Sequence, residues 1–408
     1  MMNFPPNQPP RSSRLPLSLA ACAVLASCAS PISPDTAATA GGLPGNIRKI
    51  RTYDSPGRSS EVLSYSKPLQ LLRATNSAQK DVQVYRLPSP ASANPVPVDM
   101  DSTARGYQGL SLGGEPTSIA VHPSRAIAFA AVNGGGGRLV ILDLKAAARG
   151  EKKILLDQKI GIHLDSIAVS PDGRWVIVAD EAEGSASTPG NILIAPIGQA
   201  ILHKPLPFRK AAGLVEAIGQ APGVIEPEFV AVSPSSKFAA VSCQDNDAIA
   251  IVYLSQTPRV IHTIRLPRNS SPDGIHIAYQ SGKLILGIAE EAADSASFYQ
   301  LANSGVGSQL ISRINVRTLA GQGSRSDPEG MVLFTQSGRH YAAIGVERAN
   351  RVLIMDMVNP AQPRKAGVIG VGSRPEDIIA LKSGSTTTII SADEGKPGRG
   401  EISFITVK

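Results

Sequence analysis

One phrase recurs seven times along this 408-residue chain. It is a short apolar run, a Ser/Pro/Gly turn, then a second apolar run that ends near Asn, Asp or Glu. The copies are EVLSYSKPLQLLRATN from Glu61, TSIAVHPSRAIAFAAVN from Thr117, DSIAVSPDGRWVIVADE from Asp165, EFVAVSPSSKFAAVSCQD from Glu228, DGIHIAYQSGKLILGIAEE from Asp273, EGMVLFTQSGRHYAAIGVE from Glu329 and EDIIALKSGSTTTIISADE from Glu376. A third strand-like run follows most copies (RLVILDL, NILIAPI, AIAIVYL, RVLIMDM, EISFITV), and often a fourth, such as KKILLDQKI or RVIHTIRL. A four-stranded sheet cannot bury both of its faces alone, so such units must stack on one another. Seven units of about 45–65 residues predict an all-β, seven-bladed β-propeller with four-stranded antiparallel blades.

The last unit stops after its third strand. An unpaired run, IRKIRTY (47–53), precedes the first. The expectation is that this N-terminal strand completes the last blade and hides two sheet edges. The propeller then spans 47–408. The longest irregular insertion is 207–225, with helical character expected in RKAAGLVEAIG. Glycine (38) and proline (32) are plentiful and aromatics scarce (4%), as many turns and short strands require.

The N-terminus reads as an address. Arg11 and Arg14 precede an apolar stretch, Leu15 to Ala26, too short to span a bilayer. It ends in Leu25-Ala26-Ser27-Cys28, a lipobox pattern. Residues 1–27 are therefore expected to be a lipoprotein signal peptide and Cys28 the lipidated residue, with 28–46 as anchor and flexible tether. Ala29, not aspartate, follows the cysteine. That favours an exported protein lipid-anchored to the outer membrane, on its periplasmic or surface side. Of the three cysteines only Cys243 then remains, in an apolar strand, where a buried inert thiol is expected. The net charge of +7 is mild, and no basic block interleaved with aromatics appears, which argues against nucleic acid as a partner.

These phrases resemble the YVTN-type repeats of bacterial envelope propellers. They are more closely similar to the choice-of-anchor I family in 226–252, 271–291, 327–357 and 374–395. The chain departs from that family after Glu290, where it reads EEAADSASF. The resemblance implies a propeller outside the cytoplasm and brings no reaction with it.

Aligned on the first strand, the units begin with Glu61, Thr117, Asp165, Glu228, Asp273, Glu329 and Glu376. If that strand is innermost, six carboxylates ring one mouth of a central channel. The second strands end on the same face, near Asn76, Asn133, Asp180 with Glu181, Asp245 with Asp247, Glu290 with Glu291, Glu347, and Asp393 with Glu394. The opposite face holds the turns with Lys67, Arg125, Arg174, Lys237, Lys283, Arg339 and Lys382. These turns read as solvated hairpin tips or as a face toward anionic headgroups.

Converging carboxylates repel unless neutralised. Two readings stay open. One is a divalent cation, calcium first, on Asp165, Glu228, Asp273, Glu329 and Glu376. The other is structural, with each carboxylate accepting backbone N–H bonds. The functional expectation is an envelope binding or scaffold module for a protein, glycan or small-molecule ligand, using this acidic mouth. The alternative is a metal-dependent hydrolase on the same face, a phytase-like phosphoesterase or a lactonase. Arg325, Arg348 and Arg374 are the cations nearest to it in sequence. No nucleophile–base pair emerges: Gly109-Leu110-Ser111-Leu112-Gly113 lacks the strand–turn–helix of a nucleophile elbow, and the six histidines lack metal spacing. His163, two residues before Asp165, can approach the mouth.

Overall fold

The computed structural model describes residues 47–181, 188–198, 204–219 and 225–408. The leader, Cys28 and the tether lie outside the described residues. Seven small antiparallel sheets follow one another along the chain. Their innermost strands are Leu63–Ser66, Glu115–Val121, His163–Val169, Pro227–Val232, Pro272–Gln280, Pro328–Gln336 and Pro375–Ser383. Each packs against the next, and the seventh packs against the first, so the sheets close into a ring of seven blades. The closing strand is the expected one. Arg48–Asp54 pairs antiparallel with Arg399–Val407, from Arg48 opposite Thr406 to Asp54 opposite Glu401.

Strand alternation explains why the blades stack. In blade 4, Ala239 and Val241 join Ile177, Ala179, Ile192 and Ile194 of blade 3. Their neighbours Phe238 and Ala240 turn the other way, to Ile275, Leu284 and Leu286 of blade 5. The same arrangement repeats around the ring, with apolar clusters at each seam, including blades 7–1 and 1–2. Cys243 is fully buried in the seam between blades 3 and 4, where burial pushes its thiol up to about 12. Trp175 is half-buried against the same cluster. The helical character of the insertion is confined to Leu214–Ile218, and Arg209–Lys210 supplies a two-residue outer strand for blade 3.

Two seams carry a polar intruder. His276 is half-buried between blades 5 and 6, its Nδ1 accepting from Leu333 N–H at 3.3 Å, and desolvation lowers it to about 4. Arg73 stands opposite Ser64, where the corresponding register positions hold Phe129, Ile177 and Ile390. Its Nε donates to Ser64 Oγ at 3.1 Å, but Nη1 and Nη2 are buried with no partner. Burial lowers its pKa to about 9. An unpaired buried cation opposes folding. Arg73→Met is therefore expected to stabilise the protein by about 2 kcal/mol, read as a higher denaturant midpoint at unchanged slope.

Candidate functional site: an acid-lined channel mouth

The ring residues sit where the inner strands break register. The pairing slips between Pro116 and Ser118, Leu164 and Ile167, Pro227 and Val230, Pro272 and Ile275, Pro328 and Met331, and Pro375 and Ile378. Each bulge brackets the ring residue. A bulge leaves a residue out of the ladder and re-aims its side chain, here toward the channel axis. The next residue sets the spacing between blades. Ser118 Oγ accepts from Ile167 N–H and Ser166 Oγ from Val230 N–H, both at 3.2 Å, and Asp377 Oδ2 accepts from Leu63 N–H at 2.9 Å. In blades 5 and 6 this residue is Gly274 or Gly330. A Cβ there would lie 2.4 Å from Glu329 O or 2.6 Å from Glu376 O. Only glycine lets those strands approach so closely.

A cavity of about 360 Å³ opens at this end, lined by Glu61, Thr117, Asp165, Glu228, Asp273 and Glu376 among others. Burial is the main force on these acids and their neighbours come second. Glu228 is pushed up to about 10 by burial, then by Asp165 and Asp273. Glu376 is pushed up to about 9 by burial, then by Glu394 and Asp273. Glu329 is raised by burial, then by Asp273, with Glu376 and Glu291 adding to it. Glu61 is raised by burial, offset in part by a hydrogen bond from Ser77 Oγ. Thr117 is tied down, donating to Leu164 O at 2.6 Å.

Backbone capping falls to the second ring. Asn133 Oδ1 accepts from Leu164 N–H at 2.9 Å, Asp180 Oδ1 from Ile162 N–H at 2.7 Å, and Asp393 Oδ2 from Gly372 N–H at 3.0 Å. Among the described residues no backbone N–H donates to Glu228, Asp273, Glu329 or Glu376. Period-two alternation then splits each adjacent acid pair. Asp180 and Asp393 turn into their blades. Glu290 does the same, fully buried with Ser297 and held by Arg313, whose Nε lies 3.0 Å away. Glu181, Glu291 and Glu394 turn toward the mouth instead, meeting His163, Arg325 and Arg374 respectively. Glu347 meets Arg374 at 2.6 Å.

The compensating cations stand on one side. Arg325 pairs with Glu291 at 3.0 Å and with Asp327; Arg348 also pairs with Asp327. Arg374 bridges Glu347 and Glu394 and comes within 4.0 Å of Glu376. All three serve blades 5 to 7. Across the channel, Asp165, Glu181, Glu226 and Glu228 have no arginine or lysine paired to them among the described residues. Glu226 was not singled out from the sequence because it precedes the repeated phrase. Burial and Asp245 push it up to about 7.

His163 brings an imidazole nitrogen to this arc. Its Nδ1 lies 3.1 Å from Glu181 Oε2 and 3.4 Å from Asp165 Oδ1. The three ligand atoms lie within 4.8 Å of one another. Asp165 is pushed up to about 6 by burial, with the His163 bond opposing and Glu181 adding to the rise. Its Oδ2 is buried without a hydrogen-bond partner. Two donors held about 2.2 Å from one ion at right angles lie about 3.1 Å apart, so this set fits a divalent cation.

The fold and this mouth define a seven-bladed β-propeller. Solved propellers align with most of the chain. Hydrazine synthase from Kuenenia stuttgartiensis matches at 15% identity and a TM-score of 0.60, covering 86% of this chain and 96% of that one. The β-propeller domain of Cps50 (Swd1) from Myceliophteria thermophila matches at 11% and 0.59, covering 86% and 98%. The periplasmic gluconolactonase PpgL from Pseudomonas aeruginosa matches at 15% and 0.59, covering 83% and 95%. At such identities the likeness is one of fold. No protein-family model matches the chain, and no curated protein matches it by sequence. The propeller implied by the choice-of-anchor I resemblance is present; narrower membership is carried by no family match.

Proposed function

We propose that this chain is a binding module of the cell envelope, lipid-anchored through Cys28, whose acidic mouth takes a divalent cation and through it an oxygen-bearing ligand. The observation that carries the reading is the uncompensated arc. Asp165 and Glu181 converge with His163, Glu228 stands next in the ring, and among the described residues no lysine or arginine pairs with these acids, while Arg325, Arg348 and Arg374 pair on blades 5 to 7. An ion there would relieve the repulsion and leave coordination positions for a protein, glycan or small molecule. Calcium suits the carboxylates, and the imidazole widens the choice to manganese or zinc.

A second reading has one observation in its favour. Asp165, raised to about 6 beside His163, is poised for proton transfer, as hydrolysis of a phosphoester or lactone would need. The test for both is a melting series in chelator, calcium, manganese and zinc, beside phosphomonoester and lactone assays. A cation at a hundredfold its Kd adds about 2.7 kcal/mol, a rise of about 2–5 °C. That rise is expected in the native protein and not in a variant carrying Asp165→Asn and Glu228→Gln. No rise with any cation would end the cation reading. Turnover lost in the same variant, with its fold intact, would favour the hydrolase.

A further inference from the structure

The two ends of the ring differ in more than charge. Lys67, Arg125, Arg174, Lys237, Lys283, Arg339 and Lys382 are all exposed, one at each first-to-second strand turn. Arg174 and Arg339 pair with Asp172 and Asp356, both at 2.6 Å. The other five carry no ion pair among the described residues. The same end collects the exposed apolar side chains. Tyr279 ends an inner strand, Tyr253 a third strand, and Val96, Val306 and Val358 lie in or beside third-to-fourth strand loops. Among the described residues only Ile162 of the large exposed apolar side chains stands at the acid mouth. A cleft of about 540 Å³ between blades 7 and 1 opens here too, with Lys67 and Lys382 on its walls beside Tyr65 and Leu381.

The path of the chain adds a third observation. The closing strand begins at Arg48, opposite Thr406, and runs to Asp54 at the acid end. The described chain therefore enters the ring at the basic end.

We propose that the basic end is a docking face for an anionic lipid bilayer, which leaves the acid mouth turned to the aqueous side. Lysine and arginine tips attract acidic headgroups, and tyrosine and valine beside them enter the boundary region. Each charge adds a modest increment, so several tips must act together. The proposal rests on this face and not on the cation reading. Nor does it need the lipid, although a lipid at Cys28 would pull on the same end.

The test uses chain expressed without residues 1–28, so that no lipid can be attached; the ring closes within 47–408 and the core clusters lie inside it. Co-sedimentation is measured with vesicles of phosphatidylcholine alone and with one third phosphatidylglycerol. Binding is expected only to the anionic vesicles, fading at high salt. Each lysine removed should weaken partition about fivefold at low salt, so Lys237→Glu with Lys283→Glu should cost well over tenfold. Lys80→Glu, in a turn at the acid end, should change nothing. Should the paired lysine variant lose its melting transition, Tyr279→Ser with Val306→Ser reports on the same face. Equal binding to neutral and anionic vesicles, no binding to either, or an equal loss from Lys80→Glu would overturn the proposal.

Discussion

Deleting residues 47–54 is expected to lower the melting midpoint on the order of 10 °C and to bring on aggregation. The strand they form completes blade 7, with Ile47, Ile50 and Tyr53 packing at its seams. Tyr53 meets Tyr85 of blade 1 edge-on, centroids 5.9 Å apart. Without the strand, Arg399–Val407 becomes a bare edge, its N–H and C=O groups a template for another chain. The loss joins a ladder of hydrogen bonds to apolar exposure, about 5 kcal/mol or more together. Calorimetry and size exclusion read both effects. Arg48→Ala, an exposed side chain on the same strand, serves as the control and should be neutral. An unchanged midpoint in the deletion would mean that the ring does not depend on this strand.

The second large effect is on pH. In chelator, stability should fall as pH rises from 7 to 9. Glu228 and Glu376 are pushed up to about 10 and about 9, and in the unfolded chain they titrate near 4.5. Between these values the unfolded chain has released its protons and the native state still holds them. Raising the pH therefore favours unfolding. The stabilising contribution is complete below the unfolded value and is lost through the folded one. Asp165 and Asp393, raised to about 6 and about 7, act in the same sense at lower pH. His276, lowered to about 4, acts oppositely, but only below about pH 6.5. Between pH 7 and 9 the glutamates dominate, and Cys243, raised to about 12, acts in the same sense only toward the upper end. Glu228→Gln with Glu376→Gln should flatten the slope, removing about 2 kcal/mol per site of the stability lost between pH 7 and pH 9. Guanidinium midpoints at the two pH values measure this. A native protein whose midpoint climbs over this range would show the glutamates ionised and otherwise neutralised.

The ring was legible because each blade repeats one phrase, and one residue per phrase marks the channel. The closing strand was legible by elimination, as a strand-like run with no partner before a unit that lacked one. The short outer strand Arg209–Lys210 was not: it carries no periodicity, and backbone pairing alone defines it. At the mouth, the inner ring could be located but not its electrostatics. The bulges that aim Glu228 or Glu329 leave no mark beyond the preceding proline. In the second ring, adjacent acids such as Glu290 and Glu291 look alike in sequence and point opposite ways. Which arginine reaches which acid depends on third strands, loops and neighbouring blades, so the bare arc at Asp165, Glu181 and Glu228 emerged only in three dimensions. Arg73 is the reverse case. Its position in an apolar strand was visible, yet the two Nη atoms left without partners were not.

Thr52 Oγ1 meets Ser403 Oγ at 2.9 Å across 351 positions of chain. Bringing such distant points together costs about 5 kcal/mol of chain entropy, so this contact forms late and slowly. During synthesis Arg48–Asp54 emerges well before its partner Arg399–Val407. Until then blades 1 to 6 can pair only within themselves, and the nascent protein is an open arc. The step that commits the ring to its native form is the meeting of these two strands, which completes blade 7 beside blade 1.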